Sequence, residues 1–319
     1  MRFSVESWDP GYGSSVGEEG LTDVDDPVDV DVEVAAEGWE PITPDAPLEH
    51  PVLYFVDGVR RIDARVWVRA PGADEHQPAF AGVCATVAAG VVRCEPGSAT
   101  LIDARVERAL YTAAPEAVPI VTRHGAYELR PIAGDGDEPL HLAIHNHMTA
   151  VEQRVAVDCT RAVESCRSAA GVGTDIVVFD GPLRGRETPA GVGYVKTQHV
   201  QYLPPAQHLV VGRLSAGQRT PLFLIGGRFN RWSWYLRLPG PVSHPLSGVV
   251  RLELPGLGQA TDAAARADLL SSLLPRFASV PHKDSRAPQN LHPIAGLERE
   301  LRRRLGDQHL LERALRRAS

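Results

Sequence analysis

Two acidic residues in this chain come directly after apolar stretches of strand length, and a glycine follows each. Val52–Val56 leads into Asp57, and Ile176–Phe179 leads into Asp180. An ionised carboxylate is costly to bury unless it is paired or bound to a metal. If the two strands are neighbours in one sheet, both carboxylates converge at one edge. Asp-Gly is also a common turn pair, so either position alone is consistent with a simple turn.

A third acid and a lysine can join this pair. Residues 147–168 carry an apolar stripe at helical spacing, and Glu152 shares that stripe with Val155. A helix that packs on the sheet through this stripe directs Glu152 toward the strand ends. Lys196 lies in the next strand after Asp180, where it could hold a phosphate or a developing negative charge. The alternatives are a salt bridge from Glu152 to an arginine and a surface position for Lys196.

Three carboxylates around one point form a site for hard divalent cations such as Mg²⁺ or Mn²⁺. Two such ions about 3.5–4 Å apart bind a phosphodiester, activate a water and stabilise the leaving oxygen. No nucleophilic side chain is then required. We therefore predict that Asp57, Glu152 and Asp180 are ligands of two metal ions and that Lys196 completes the catalytic set.

Residues 226–240, "GGRFNRWSWYLRLPG", mix arginines with aromatic rings. Guanidinium groups bind phosphates and aromatic rings stack on bases, which suits single-stranded nucleic acid. A half-buried strand with alternating faces produces the same pattern, and both interpretations stay open here. Under the first, the residues that bind nucleic acid are Arg228, Arg231, Trp232, Tyr235 and Arg237.

The order of elements predicts an α/β fold. A strand ending near Asp57, a glycine turn, the hairpin partner "RIDARVWV" and the strand or strand pair "AFAGVCATVAAGVVRC" form an antiparallel meander. A helix and the strand "DIVVFDG" follow, which is the order of a ribonuclease H-like mixed sheet with antiparallel and parallel strands, flanked by helices. Further strands are predicted in "GVGYVKT", "HLVVGRL", "PLFLIGG", "WSWYLRL" and "GVVRLEL". A helix is predicted within "LPGLGQATDAAARADLLSSLLPRFA", and a basic helical region broken near Gly306 ends the chain.

Charge divides the chain into two predicted parts, an acidic segment over residues 1–45 and one domain over residues 46–319. The net charge is −7, but residues 1–40 alone carry −11, which leaves +4 for the remainder. A basic groove is therefore compatible with the acidic total. The alternation of acid and valine from Asp29 to Val34 predicts an edge strand.

Other sequence features exclude several classes of protein. No apolar run is long enough for a transmembrane helix and no signal-peptide core is present, so we expect a cytoplasmic protein without membrane association. The four cysteines have no metal-finger spacing. No P-loop or dinucleotide fingerprint appears, which argues against ATP hydrolysis by this chain.

Taken in order, several of these stretches resemble the NurA nuclease family. They are "YFVDGVRR", "AVEQRVA", "VVFDGPL", "VGYVKT", "WSWYLRLPG" and "SGVVRLELP", and they span roughly residues 50–255. The resemblance implies a ribonuclease H-like nuclease domain over residues 46–319, dependence on manganese or magnesium, and cleavage of DNA as a 5′-to-3′ exonuclease and single-strand endonuclease. It also implies metal roles for Asp57, Asp180 and Glu152, a homodimer, and a hexameric HerA-like ATPase as partner in DNA end processing, in repair or defence.

The C-terminal part departs from the family pattern. The family offers a further acid or histidine near the start of a C-terminal helix, and His292 is the nearby candidate for this fourth site residue. Asn290 and Asp284 are alternatives. Because this position is altered, a catalytically inactive adaptor of a DNA translocase is a second hypothesis. A ribonuclease H-like enzyme that acts on RNA is a third.

Overall fold

The structure, a computed structural model, describes residues 22–23, 26–45, 51–69, 79–134, 136–170, 175–183, 188 and 190–319. Its helices are α1 (Asp137–Ala170), α2 (Pro205–Arg213), α3 (Ala260–Leu273), α4 (His292–Arg304) and α5 (Gln308–Ala318). Its strands are β1 (Thr22–Asp23), β2 (Val28–Asp29), β3 (Leu53–Val68), β4 (Phe80–Glu95), β5 (Ser98–Thr112), β6 (Ile120–Thr122), β7 (Gly125–Pro131), β8 (Ile176–Asp180), β9 (Gly191–Val195), β10 (Val200–Gln201), β11 (Phe223–Ile225), β12 (Arg231–Arg237) and β13 (Val249–Pro255).

Eleven of the described strands form one mixed sheet, in the order β2-β11-β12-β13-β9-β8-β3-β4-β5-β7-β6. Strands β8 and β9 pair in parallel, as do β5 and β7, whereas β9, β13, β12 and β11 pair antiparallel. The predicted α/β class, with a mixed sheet flanked by helices, is confirmed. The central position of β8 explains its sequence, because a strand buried on both faces is apolar at every position rather than at alternate ones.

The prediction of a turn at Asp57 is wrong. Strand β3 runs without interruption through Asp57 and Gly58 for 16 residues, so "RIDARVWV" continues the first strand instead of returning beside it. Gly58 is not among the glycines with positive φ, whereas Gly181, after the second acid, has φ +110°. An Asp-Gly pair in extended backbone makes no turn, so the meander of this protein is built from β3, β4 and β5.

The described residues divide into two compact units. The first comprises Met1–Phe55, Arg93–Ala99 and Glu164–Ala295, and the second comprises Val56–Val92, Thr100–Val163 and Gly296–Ser319. Among described residues, no helix has the length and apolar character needed to cross a bilayer.

The first unit has an apolar core around helix α2 and strands β11 to β13. The stretch "HLVVGRL", predicted as a strand, is in fact part of α2. Pro205 at the first helical turn favours a helix start, and the buried Gln207, Val210 and Val211 lie at helical spacing. The buried positions are three and four residues apart, which is the spacing of a helix and not the alternation of a strand.

Part of the predicted acidic segment packs into this first unit. Trp39 is buried in its core, and Glu33 forms an ion pair with the almost fully buried Arg219 at 2.7 Å. The predicted edge strand is limited to β2, because Asp29 and Asp31 accept backbone hydrogen bonds that turn the chain. Residues 1–21, 24 and 25 of the segment lie outside the described residues.

The second unit has a polar cluster within its sheet. The buried carboxylate of Asp63 accepts hydrogen bonds from Thr86, Tyr127 and Arg61. The C-terminal helices α4 and α5 belong mostly to this unit, and they are separated at Gly306 as the sequence predicts.

Candidate functional site

Asp180, the first of the predicted site residues to be placed, is the last residue of β8. The backbones of Gly181 and Tyr194 exchange two hydrogen bonds, of 2.8 and 3.0 Å, so the chain is held against β9 immediately after Asp180. The Asp180 carboxylate is half-buried. A parallel central strand that ends in an acid therefore presents that acid at the sheet edge, as the sequence predicts.

Lys196 contacts Asp180 directly. Its Nζ lies 2.6 Å from Asp180 Oδ2 and donates to Asn290 Oδ1 at 2.8 Å. The lysine side chain is 8% exposed, so the alternative of a surface strand lysine does not hold. An ammonium held by one carboxylate and one amide oxygen has a fixed position.

The segment before α4 supplies the amide that holds this lysine. Asn290 is fully buried and donates from Nδ2 to Asp284 Oδ2 at 2.8 Å. The Tyr194 hydroxyl donates to the carbonyl of Gln289 at 2.7 Å, which fixes the same segment to β9. Burial raises the pKa of Tyr194, and the nearby charge of Asp180 raises it further, so this hydroxyl stays a donor.

His292 does not join this arrangement. It is exposed at the first position of α4, whereas Asn290 and Asp284, the two alternatives considered above, lie in the hydrogen-bonded chain that reaches Lys196. The expectation for His292 is therefore corrected. The helix begins with this residue directed to solvent, and its buried face starts at Ile294.

Asp57 and Glu152 lie together in the second unit. Both side chains are buried, and Asp57 Oδ1 accepts the backbone N–H of Gly58 at 2.7 Å. Glu152 projects from α1 onto the backbone of Gly58, which agrees with the helical phase deduced from the sequence. A Cβ at Gly58 would lie 2.4 Å from Glu152 Oε1, so only glycine leaves room for this carboxylate.

We predict that Gly58→Ala destabilises the protein by about 1–3 kcal/mol, because the new methyl group must displace buried Glu152 atoms. Its Cβ would also lie 2.9 Å from Glu152 Cγ, so rotation of the carboxylate alone does not relieve the overlap. The free energy of unfolding in urea measures the change.

The matched control for this change is Gly38→Ala, because nothing lies within 4 Å of a Cβ at Gly38. We expect that variant to keep or slightly raise the free energy of unfolding. The double variant Gly58→Ala/Glu152→Ala should recover part of the loss. Equal stability of the Gly58→Ala and Gly38→Ala variants contradicts the prediction.

Three carboxylates meet at the centre of the candidate site. Asp57, Asp180 and Glu298 each offer one oxygen, and these oxygens all lie within 4.8 Å of one another. Asp57 and Glu298 are buried and Asp180 is half-buried. This acidic cluster contains two of the predicted ligands, but its third member comes from α4 and not from α1.

Glu298 was missed by sequence reasoning, although a signal exists. Its helix buries Ile294, Leu297 and Leu301, and Glu298 interrupts this apolar stripe. The same argument that selected Glu152 on α1 therefore selects Glu298 on α4. The arginines in the second half of α4 obscure this signal in the sequence.

The acidic cluster could bind a divalent metal ion. Carboxylates this close repel one another when ionised, and a cation relieves that repulsion. An all-oxygen donor set suits Mg²⁺, Mn²⁺ or Ca²⁺ better than ions that prefer nitrogen or sulfur. The donor set therefore fits the hard cations predicted from the sequence.

The arginine and aromatic stretch is for the most part a core strand. Trp232, Tyr235 and Arg237 are buried, so they present no ring face or guanidinium to a nucleic acid, and the expectation for these three is corrected. Arg237 donates to the carbonyl oxygens of Ser247 and Pro245. Strand β12 pairs with β11 and β13 along its two edges, and residues 232–237 are buried on both faces of the strand. Arg228 is exposed and Arg231 is half-buried.

A buried ion network supports the turn after Asp180. Glu253 Oε1 lies 2.5 Å from Arg251 Nη1 and 3.1 Å from Arg231 Nε, and its Oε2 accepts the backbone N–H of Leu183 at 2.8 Å. Burial alone would raise the pKa of Glu253, but Arg251, the Leu183 amide and Arg231 hold it below its ordinary value. Glu253 therefore acts on the site by positioning the loop that follows Asp180.

Comparison with known proteins gives a distant structural likeness. No protein-family model and no curated protein matches this sequence. The crystal structure of the NurA nuclease from Sulfolobus solfataricus is similar, with a TM-score of 0.46 and 10% sequence identity over 82% of this chain and 81% of that chain. At these values the likeness assigns no residue role, so the functional argument is built on the geometry of this chain.

Proposed function

We propose that this protein is a metal-dependent nuclease that hydrolyses DNA phosphodiesters with Mn²⁺ or Mg²⁺. The observation that carries the proposal is the acidic cluster of Asp57, Asp180 and Glu298 with the buried Lys196 against Asp180. Converging carboxylates beside a fixed ammonium suit a reaction in which negative charge grows on phosphate oxygens.

In this proposal each residue of the site has a distinct role. Asp57, Asp180 and Glu298 hold two ions, which when bound activate a water and stabilise the leaving oxygen. Lys196 neutralises a phosphate oxygen through Nζ, and Asn290 keeps that ammonium in place. Glu152, which packs on Gly58 beside Asp57, helps to fix the position of Asp57 in β3.

The finer features of the proposal come from the family resemblance of the sequence motifs. They are 5′-to-3′ exonuclease and single-strand endonuclease activity, a homodimer, and action with a HerA-like hexameric ATPase at DNA ends. The excess positive charge outside the acidic N-terminal segment is compatible with DNA as a ligand.

The test is cleavage of end-labelled single-stranded DNA by the purified protein in Mn²⁺ or Mg²⁺, with a matched RNA strand in parallel. We expect metal-dependent cleavage of DNA that stops when the ion is chelated with EDTA and returns when the ion is restored. Cleavage that persists in EDTA contradicts the metal requirement. A protein that cleaves neither strand at any metal concentration overturns the proposed nuclease, and preference for the RNA strand overturns the choice of DNA.

A further inference from the structure

A cavity of about 380 Å³ opens beside the candidate site, within the first unit. Pro182, two residues after Asp180, and Val195, one residue before Lys196, form part of its wall. The volume is in the range of small-ligand sites. The cavity therefore lies next to two residues of the proposed catalytic set, Asp180 and Lys196.

Two arginines and one carboxylate, Glu253, line this pocket, so its arginines outnumber its carboxylates. Arg231 and Arg251 line it, and their guanidinium carbons lie 5.7 and 4.6 Å from the centre of the Tyr202 ring. Glu253 compensates both arginines, and Arg231 has a further, longer contact of 3.4 Å to Asp26. Arg231 keeps 20% of its side chain exposed, so an incoming anion can reach it.

Gln198 supplies a second, independent observation. Its side chain lines the pocket and is 4% exposed, and its Nε2 has no hydrogen-bond partner among the described residues. Buried amide donors in folded proteins nearly always have an acceptor. Because Gln198 lines the cavity, an anionic oxygen bound there would offer this amide an acceptor.

We propose that this pocket binds a phosphate group of the nucleic-acid strand, next to the phosphodiester that is cleaved. An arginine and an amide that converge on one cavity match the several oxygens of a phosphate. The proposal deepens the proposed function and rests on it for the source of the phosphate. The pocket residues that would contact the phosphate or its nucleotide are Arg231, Arg251, Gln198 and Tyr202.

The experiment measures binding without metal, so that it is independent of cleavage. A fluorescein-labelled oligo(dT) of eight nucleotides is titrated with the full chain in EDTA at low salt, with and without a 5′-phosphate. Inorganic phosphate and thymidine 5′-monophosphate serve as competitors. Stronger binding of the 5′-phosphorylated strand identifies a terminal phosphate as the group, whereas equal binding of the two strands identifies a backbone phosphate.

Two variants and one control carry the test. We expect Arg231→Gln and Gln198→Leu each to weaken oligonucleotide binding about tenfold or more, because each removes a donor to an ionised group. Arg213→Gln removes the same charge at an exposed position outside the pocket, where Arg213 pairs with Glu40, and should weaken binding less than about threefold.

Protein stability separates a ligand role from a structural one. Gln198→Leu removes a donor without a described partner, so its melting temperature should stay the same or rise while its affinity falls.

Equal binding by the wild-type protein and both pocket variants overturns the inference, and so does competition by free phosphate with no effect of the variants on oligonucleotide binding. If pocket variants bind normally while metal-dependent cleavage persists, only the pocket assignment fails. If the variants lose binding but the protein never cleaves DNA, only the proposed catalysis fails.

Discussion

Glu298→Gln is expected to reduce metal-dependent DNA cleavage by about a thousandfold or more, to the level of Asp57→Asn and Asp180→Asn. The three carboxylate oxygens lie within 4.8 Å of one another. Each of the three substitutions therefore removes a comparable share of the negative charge that would hold the ions. Loss of one member of a catalytic set that acts together typically costs as much as loss of the whole set. Initial rates on labelled single-stranded DNA at saturating Mn²⁺ measure the effect.

Glu300→Gln is the matched control for this prediction. It lies on the same helix, two residues away, and pairs with Arg303 and Arg304 at the surface. We expect it to cleave DNA within about twofold of the wild-type rate, because exposed ion pairs of this kind contribute little.

Metal binding provides a readout that does not depend on cleavage. At a metal concentration 100 times Kd, a ligand that binds only the folded state stabilises it by about 2.7 kcal/mol. Wild-type protein and Glu300→Gln should therefore melt at a higher temperature in Mn²⁺ than in EDTA, and Glu298→Gln should lose that difference. A Glu298→Gln protein that cleaves DNA normally and keeps the metal-dependent shift excludes Glu298 from the site.

Glu253→Ala is expected to destabilise the protein by about 3–5 kcal/mol, which is the usual loss when one partner of a buried ion pair is removed. Glu253 is fully buried, and its removal leaves the buried Arg251 without its counter-ion. The Leu183 amide also loses its acceptor, so the loop after Asp180 is released. Urea denaturation measures the free energy, and the cleavage rate should fall with it.

The double variant Arg251→Met/Glu253→Leu separates charge from packing. Replacing a buried ion pair by apolar residues of similar size is often neutral, so it should be more stable than Glu253→Ala. If both variants are equally unstable, the loss reflects packing rather than an uncompensated charge.

The same network gives a pH dependence with a defined sign. The pKa of Glu253 is lower in the folded protein than its ordinary value of about 4.3, so its contribution to stability is present above that value and is lost as pH falls through the folded pKa. The stability advantage of wild-type protein over the Glu253→Ala variant should therefore shrink in acid below about pH 4. An advantage that stays constant from pH 7 to pH 2 contradicts this assignment.

Local sequence was sufficient to predict most elements and part of the site. The continuous apolar run before Asp180 predicts a central strand, and helical spacing predicts α1, α3 and the C-terminal pair. The positions of Asp57 and Asp180 were also accessible, because a carboxylate after an apolar strand is costly to bury without a paired charge or a metal ion. Lys196 was predicted because it lies one strand after Asp180, and the structure places its Nζ 2.6 Å from Asp180 Oδ2.

Other features depend on contacts between residues far apart in the sequence. No local pattern distinguishes Asp-Gly in a turn from Asp-Gly in a continuous strand, and the close approach of Glu152 to Gly58 is visible only in three dimensions. Likewise, the mixture of arginine and aromatic residues in β12 does not reveal that the tertiary structure covers both faces of the strand and buries Trp232 and Tyr235.

The sequence by itself determined which strands end in acids, where the helices lie, and that oxygen ligands dominate the candidate site. The tertiary structure decided that Glu298, rather than Glu152 or His292, brings the third oxygen to Asp57 and Asp180. The physical reason is that periodicity fixes the face of a helix on which a side chain lies. Which carboxylates meet is set by the packing of helices and strands separated by more than a hundred residues.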